Sequence, residues 1–195
     1  MLGYKELLGI VAIALTFIAF IPYIRSIQAG QTQPHVFSWV IWGSTTFVVF
    51  LAQLADNGGA GAWSIGVSGL ITLYIALLAY QKRGDIRITS TDRLFLIAAL
   101  ASLPLWYVTA NPVWAVLILT TIDLFGFAPT FRKAYHQPYG EHLGFYSIMV
   151  LRNVIALLAL QHVSLTTSLF PAATGILCVS FIMMVKIQRH RLASL

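Results

Sequence analysis

The chain has 195 residues, 58% of them hydrophobic and only 9% charged, with a mean hydropathy of +0.82. Soluble domains carry about 25% charged residues, so this composition excludes an ordinary water-soluble fold and indicates a polytopic protein of the lipid bilayer. A net charge of +6 would suit nucleic acid, but the basic residues lie where membrane topology places them, so no nucleic-acid partner is expected.

In chain order, seven segments can span: residues 3–24, 35–55, 61–81, 93–110, 112–131, 142–161 and 166–187, each near the ~20 residues a bilayer helix needs. The first is no cleavable signal, because its apolar run from Leu7 to Ile24 is too long and no small-residue cleavage site follows. The stretch AFIPYIRSIQAGQTQPHVFSWVIWG (19–43) returns, diverged, as GFAPTFRKAYHQPYGEHLGFYSIMV (126–150), an offset of 107 residues. Without a gap, Phe20 falls on Phe127, Pro22 on Pro129, Arg25 on Arg132 and His35 on His142. The same register places Trp39 on Tyr146, Ala52 on Ala159, and Gln81-Lys82 on Gln188-Arg189. Such a repeat indicates an internal duplication. Segments one to three match five to seven, and the fourth is left as a linker helix. One crossing between two three-helix units gives both copies the same orientation, so the repeats are parallel. The expected division is 1–81 for the first bundle, 82–111 for the cytoplasmic loop and linker helix, and 112–195 for the second bundle.

Arg25, Lys82, Arg83, Arg87, Arg93, Arg132, Lys133, Lys186, Arg189 and Arg191 all fall on one side of these spans. The positive-inside rule then predicts an inner-membrane protein with an extracytoplasmic N-terminus and a cytoplasmic C-terminus. The opposite connectors are short and nearly uncharged, with Trp63, Tyr107 and Trp114 as interfacial anchors.

The 3+1+3 plan, with Pro22 and Arg25 closing one first helix and Pro129 and Arg132 the other, resembles the SWEET and PQ-loop transporter superfamily. In both turns the glutamine that follows the proline in that superfamily is replaced, by Tyr23 and Thr130, which makes the chain look more like a bacterial relative. The resemblance implies an all-helical fold of two parallel three-helix bundles and a small-solute transporter.

Proline inside a helix removes a hydrogen bond and clashes with the preceding turn, so Pro22 and Pro129 are either hinges or plain kinks. Trp39 and Trp42 share one face of the second helix; they are either interfacial anchors or stacking surfaces for a flat polar solute. Ser64, Ser68 and Thr72 form a stripe on the third helix, which reads first as close packing. The five histidines form no metal-binding pattern, Cys178 lies in an apolar run, and no nucleophile motif occurs. No metal, cofactor or enzymatic activity is expected; self-association is left open.

The strongest chemical signal is a pair of charges inside the spans, Asp123 and Arg152, with Asn153 beside the arginine. Counting from the cytoplasmic ends, Asp123 is roughly 13–14 Å deep and Arg152 roughly 15 Å, near the middle of a core roughly 30 Å thick. Opposite charges at equal depth are expected to pair. The pair is either structural or a working site, with Asp123 a proton acceptor and Arg152 and Asn153 contacting an anionic or polar solute. The expected function is transport of a small polar solute (sugar, nucleoside, vitamin or amino-acid-like) by alternating access, with proton coupling through Asp123. The alternative is a non-transporting membrane receptor or assembly factor on the same scaffold.

Overall fold

The computed structural model describes residues 3–30, 34, 36–82, 90–136, 138–140 and 143–193. His35, His142, Arg83 and Arg87 lie outside the described residues, as do the side chains of Pro129, Arg132 and Lys133.

Among the described residues the chain is all-helical: α1 (Tyr4–Gln28), α2 (Val36–Ala55), α3 (Ala60–Gln81), α4 (Ser90–Thr109), α5 (Val113–Gly126), α6 (Ala128–His136), α7 (Leu143–Ala159) and α8 (Leu165–Ala193). A 3-10 turn, Pro138–Gly140, joins α6 to α7. Four of these helices, α1, α2, α3 and α8, are long and apolar enough to cross a membrane, and the apolar parts of α4, α5 and α7 are shorter. The helices fall where the apolar runs predict, with one difference. The fifth segment is not one helix; it breaks at Phe127 into α5 and α6. Proline explains the break. Residue 129 has no N–H to give the carbonyl four residues back, and it is tolerated in the first turn of a new helix. Pro22, at the matching place in α1, lies inside an unbroken helix.

Packing follows a fixed order. α3 packs against both α1 and α2, and α8 packs against both α5 and α7. Across these groups α1 meets α7 and α2 meets α5. At the 107-residue offset α1 corresponds to α5 and α2 to α7, so the α1–α7 and α2–α5 contacts are one contact made twice. α4 rests on α5 and α2. Glycines let α3 approach its neighbours: a Cβ on Gly66 would overlap the Phe50 ring, and one on Gly61 would overlap the Ala156 carbonyl oxygen. The hydroxyls of Ser64 and Thr72 bond the carbonyls of Gly61 and Ser68 in their own helix, at 3.2 and 2.8 Å. The stripe is therefore part of a packed middle helix. The exposed residues of α1, α3 and α8, such as Leu7, Phe17, Leu70, Leu77, Ile176 and Met183, are apolar, as a lipid-facing surface requires.

α8 shows how a proline can be accommodated in such a fold. Ser164 and Thr167 cap its start reciprocally, each hydroxyl accepting the other's backbone N–H at 3.2 and 2.9 Å. Pro171 then leaves the Thr167 carbonyl without its helical donor. Gln53, fully buried on α2, supplies the replacement, its Nε2 donating to that carbonyl at 2.8 Å. Gln53→Leu should lower stability by about 1–3 kcal/mol, the cost of a buried unsatisfied group. Thermal unfolding in detergent measures this, and an unchanged midpoint would rule the role out.

Candidate functional site

The charged residues come from helices that α8 separates. α5 carries Thr120 and Asp123 one turn apart on a shared face. α7 carries Arg152 and Asn153. Between them α8 presents small residues: a Cβ on Gly175 would lie 3.5 Å from Asn153 Cβ, and Cys178 lies buried within electrostatic reach of Arg152. All of these except Gly175 are buried, Asp123 at 7% exposure, Arg152 at 2% and Asn153 at 1%.

The direct ion pair expected from the sequence is not formed. Asp123 and Arg152 act on each other electrostatically, yet among the described residues no carboxylate lies within the 4.0 Å of an ion pair to the guanidinium. The reason is the helix order, since α8 stands between α5 and α7. Arg152 Nε and Nη1 have no partner among the described residues, and Nη2 has only the Met149 sulfur at 4.0 Å. Both polar atoms of the Asn153 amide and the Thr120 hydroxyl are likewise unpartnered. Asp123 accepts no hydrogen bond among the described residues.

The counterparts at the 107-residue offset behave oppositely. Thr16, in the place of Asp123, donates to the Ala12 carbonyl at 2.8 Å, and Thr45, in the place of Arg152, to the Trp42 carbonyl at 3.0 Å. Buried polar groups are usually satisfied; the first three helices obey this at these positions and the second set does not.

One turn from the charges lies an aromatic layer. Tyr23 stacks on Trp39 (centroids 5.1 Å apart), Trp39 meets Trp42 edge-on (5.8 Å), and Trp42 meets Phe127 (6.1 Å). Phe127 is four residues after Asp123, and Met149 three before Arg152. Trp39 and Trp42 are half-buried in this layer. A Cβ on Gly126 would overlap the Trp42 indole nitrogen. Gly126→Ala should therefore displace Trp42, costing about 1–3 kcal/mol as overpacking does and shifting the tryptophan emission. Unchanged emission and stability would contradict this contact. Trp63, by contrast, is exposed at the start of α3.

At the end of the molecule where α1 begins, polar contacts that the sequence did not lead us to expect join two connectors. Those at 56–59 and 160–164, which nearly correspond at the 107-residue offset, bind each other. Gln161 N–H donates to the Gly58 carbonyl at 3.1 Å. The Ser164 hydroxyl donates to the Asp56 carboxylate, and His162 Nδ1 lies 3.0 Å from the Asp56 carbonyl. Lys5 of α1 donates to the Leu160 carbonyl at 2.8 Å, just past the end of α7. Gly59 takes φ +63 here, and any side chain on it would run into Gln161.

The structure thus buries Asp123 on α5 and Arg152 and Asn153 on α7, both helices packed against α8, and sets Trp42, with Trp39 against it, on Phe127 one turn from Asp123. Pro22 and the break before residue 129 fall at the same end as the aromatic layer. Thr120 was missed by sequence reasoning because a lone threonine in an apolar helix is unremarkable; its spacing of three from Asp123 was the available signal. A shallow pocket of about 390 Å³ on α4, lined by Leu103, Trp106, Tyr107 and Ala110, contains none of these residues. Comparisons with known protein families, with curated proteins and with solved structures found no match to this chain.

Proposed function

We propose that the chain is a seven-span transporter of a small polar solute, built as two parallel three-helix bundles joined by α4 and resembling the SWEET and PQ-loop plan. One observation carries this reading: charged and polar side chains are buried around α8 with atoms that have no partner among the described residues, where a purely structural role would have satisfied them. In this reading α5 and α6 together make the fifth span. The twice-made contact, α1 with α7 and α2 with α5, supports two bundles that rock about a common centre. The bonded connectors at 56–59 and 160–164 form the closed gate, and the aromatic layer of Tyr23, Trp39, Trp42 and Phe127 walls the solute from the other side. Pro22 and Pro129 are the hinges of that second gate. Asp123 serves as proton acceptor, so Asp123→Asn abolishes any pH dependence of flux.

The gate at the N-terminal end faces outside the cell, and the basic connectors face the cytoplasm. A reporter fused after Leu195 should be active in the cytoplasm, and one inserted at Asn57 should be active outside. The same answer at both places would refute the topology.

Solute binding is tested by thermal shift of the purified protein against sugars, nucleosides, vitamins and amino acids, because a ligand of the folded state raises the midpoint by mass action. A shift for at least one class, lost in Arg152→Gln, is the expected result. No shift with any solute would count against the site.

A further inference from the structure

Around α8 one positive and one negative side chain are buried within electrostatic reach of each other and do not form an ion pair. Arg152 has only a thioether neighbour, and Asp123 has no donor among the described residues. Each of them carries companions on its own side. Asn153, next to Arg152, offers an N–H donor and a carbonyl acceptor, and Thr120, one turn from Asp123, offers a hydroxyl, none of them partnered among the described residues. An anion alone would answer Arg152 and leave Asp123 to be neutralised by a proton, with no donor for its carboxylate among the described residues. A cation alone would leave Arg152 without a counterion, and an uncharged sugar or nucleoside would bring no counterion to either charge.

Building on the transport site proposed above, we infer that its solute is a compact zwitterion, carboxylate end on Arg152 and Asn153, ammonium end on Asp123 and Thr120. Such a ligand keeps the filled site electrically neutral and supplies the partners that four of the chain's own residues lack. Guanidinium is suited to the carboxylate because its planar donors match the two oxygens. The three hydrogens of an ammonium are shared between the Asp123 carboxylate and the Thr120 hydroxyl. The position of the α-carbon substituent, between this cluster and Trp42, sets which zwitterion is preferred.

The test uses the full chain, folded in detergent for binding and in proteoliposomes for flux. The probes are the twenty standard L-amino acids, their deaminated carboxylates and decarboxylated amines, and glucose and uridine as uncharged solutes. At least one amino acid should bind about tenfold or more tighter than both its carboxylate and its amine. Arg152→Gln should lose amino acids and carboxylates together, while Arg152→Lys, which keeps the charge, retains the preference for zwitterions. Asp123→Asn should remove the preference, so that the carboxylate binds as well as the amino acid. The inference is overturned if glucose or uridine is the better ligand, or if Asp123→Asn still prefers the amino acid. It is overturned equally if no probe binds the folded protein. Flux of an uncharged solute would leave the transporter reading standing without it; zwitterion binding without flux would uphold the inference and remove transport.

Discussion

Arg152→Gln is expected to abolish solute binding while leaving the empty protein as stable as before, or more so. A positive charge at bilayer depth costs roughly 2.5–3.5 kcal/mol on insertion scales, and here no carboxylate lies in contact to offset it among the described residues. Glutamine keeps most of the side chain's length and removes the charge, so the folded state loses a cost and little else. Hydrogen bonds to charged groups contribute about 1.5–3 kcal/mol; losing two to a solute weakens binding at least ~100-fold. Asp123→Asn should be equally stable but keep binding, losing the preference for zwitterions and any pH dependence of flux, and the double variant should be stable and inactive. A structural ion pair predicts the reverse: each single substitution destabilises, and the double recovers both stability and activity. Melting curves of the four proteins, with and without ligand, separate these cases. Functional sites are where local rules of satisfaction are broken, and here they are broken at Asp123 and Arg152 but not at Thr16 and Thr45, their counterparts at the 107-residue offset.

The second large effect is at Trp42. Its indole contacts Trp39 and Phe127 and leans on Gly126, so it links α2 to the break between α5 and α6. Trp42→Ala should open the wall of the site, reduce transport to background and cost about 3 kcal/mol or less, since buried Trp→Ala changes cost roughly 3–5 and this side chain is half-buried. Trp42→Phe should keep part of the activity, because a ring still meets Phe127. Trp63→Ala is the control: exposed on α3, its ring 5.3 Å from that of Phe50, it should transport nearly as wild type. Equal losses at Trp42 and Trp63 would show that the aromatic layer has no special place.

The helices were legible because each apolar run is bounded by turn residues or charge, and because the 107-residue register repeats polar landmarks as well as hydrophobicity. Asp123, Arg152 and Asn153 stood out for the same reason, as charge and amide in apolar segments. What the sequence could not convey was which helix lies in the middle. With α8 between α5 and α7, two charges at equal depth stay apart, and depth alone had suggested a bond. The role of Gln53 depended on a long-range fact, that its side chain reaches the carbonyl freed by Pro171. The contacts between the connectors at the end where α1 begins were hidden likewise. Asp56, His162 and Ser164 sit in short connectors that read as solvated turns until the fold brings them together.

Flux in proteoliposomes of wild type and Arg152→Gln, over the panel of sugars, nucleosides, vitamins and amino acids, bears most directly on the central claim. Saturable uptake or counterflow of at least one solute is predicted for the wild type, with background rates for Arg152→Gln despite an unchanged or higher melting temperature. No flux for any solute, or equal flux in both proteins, would contradict transport through the buried site.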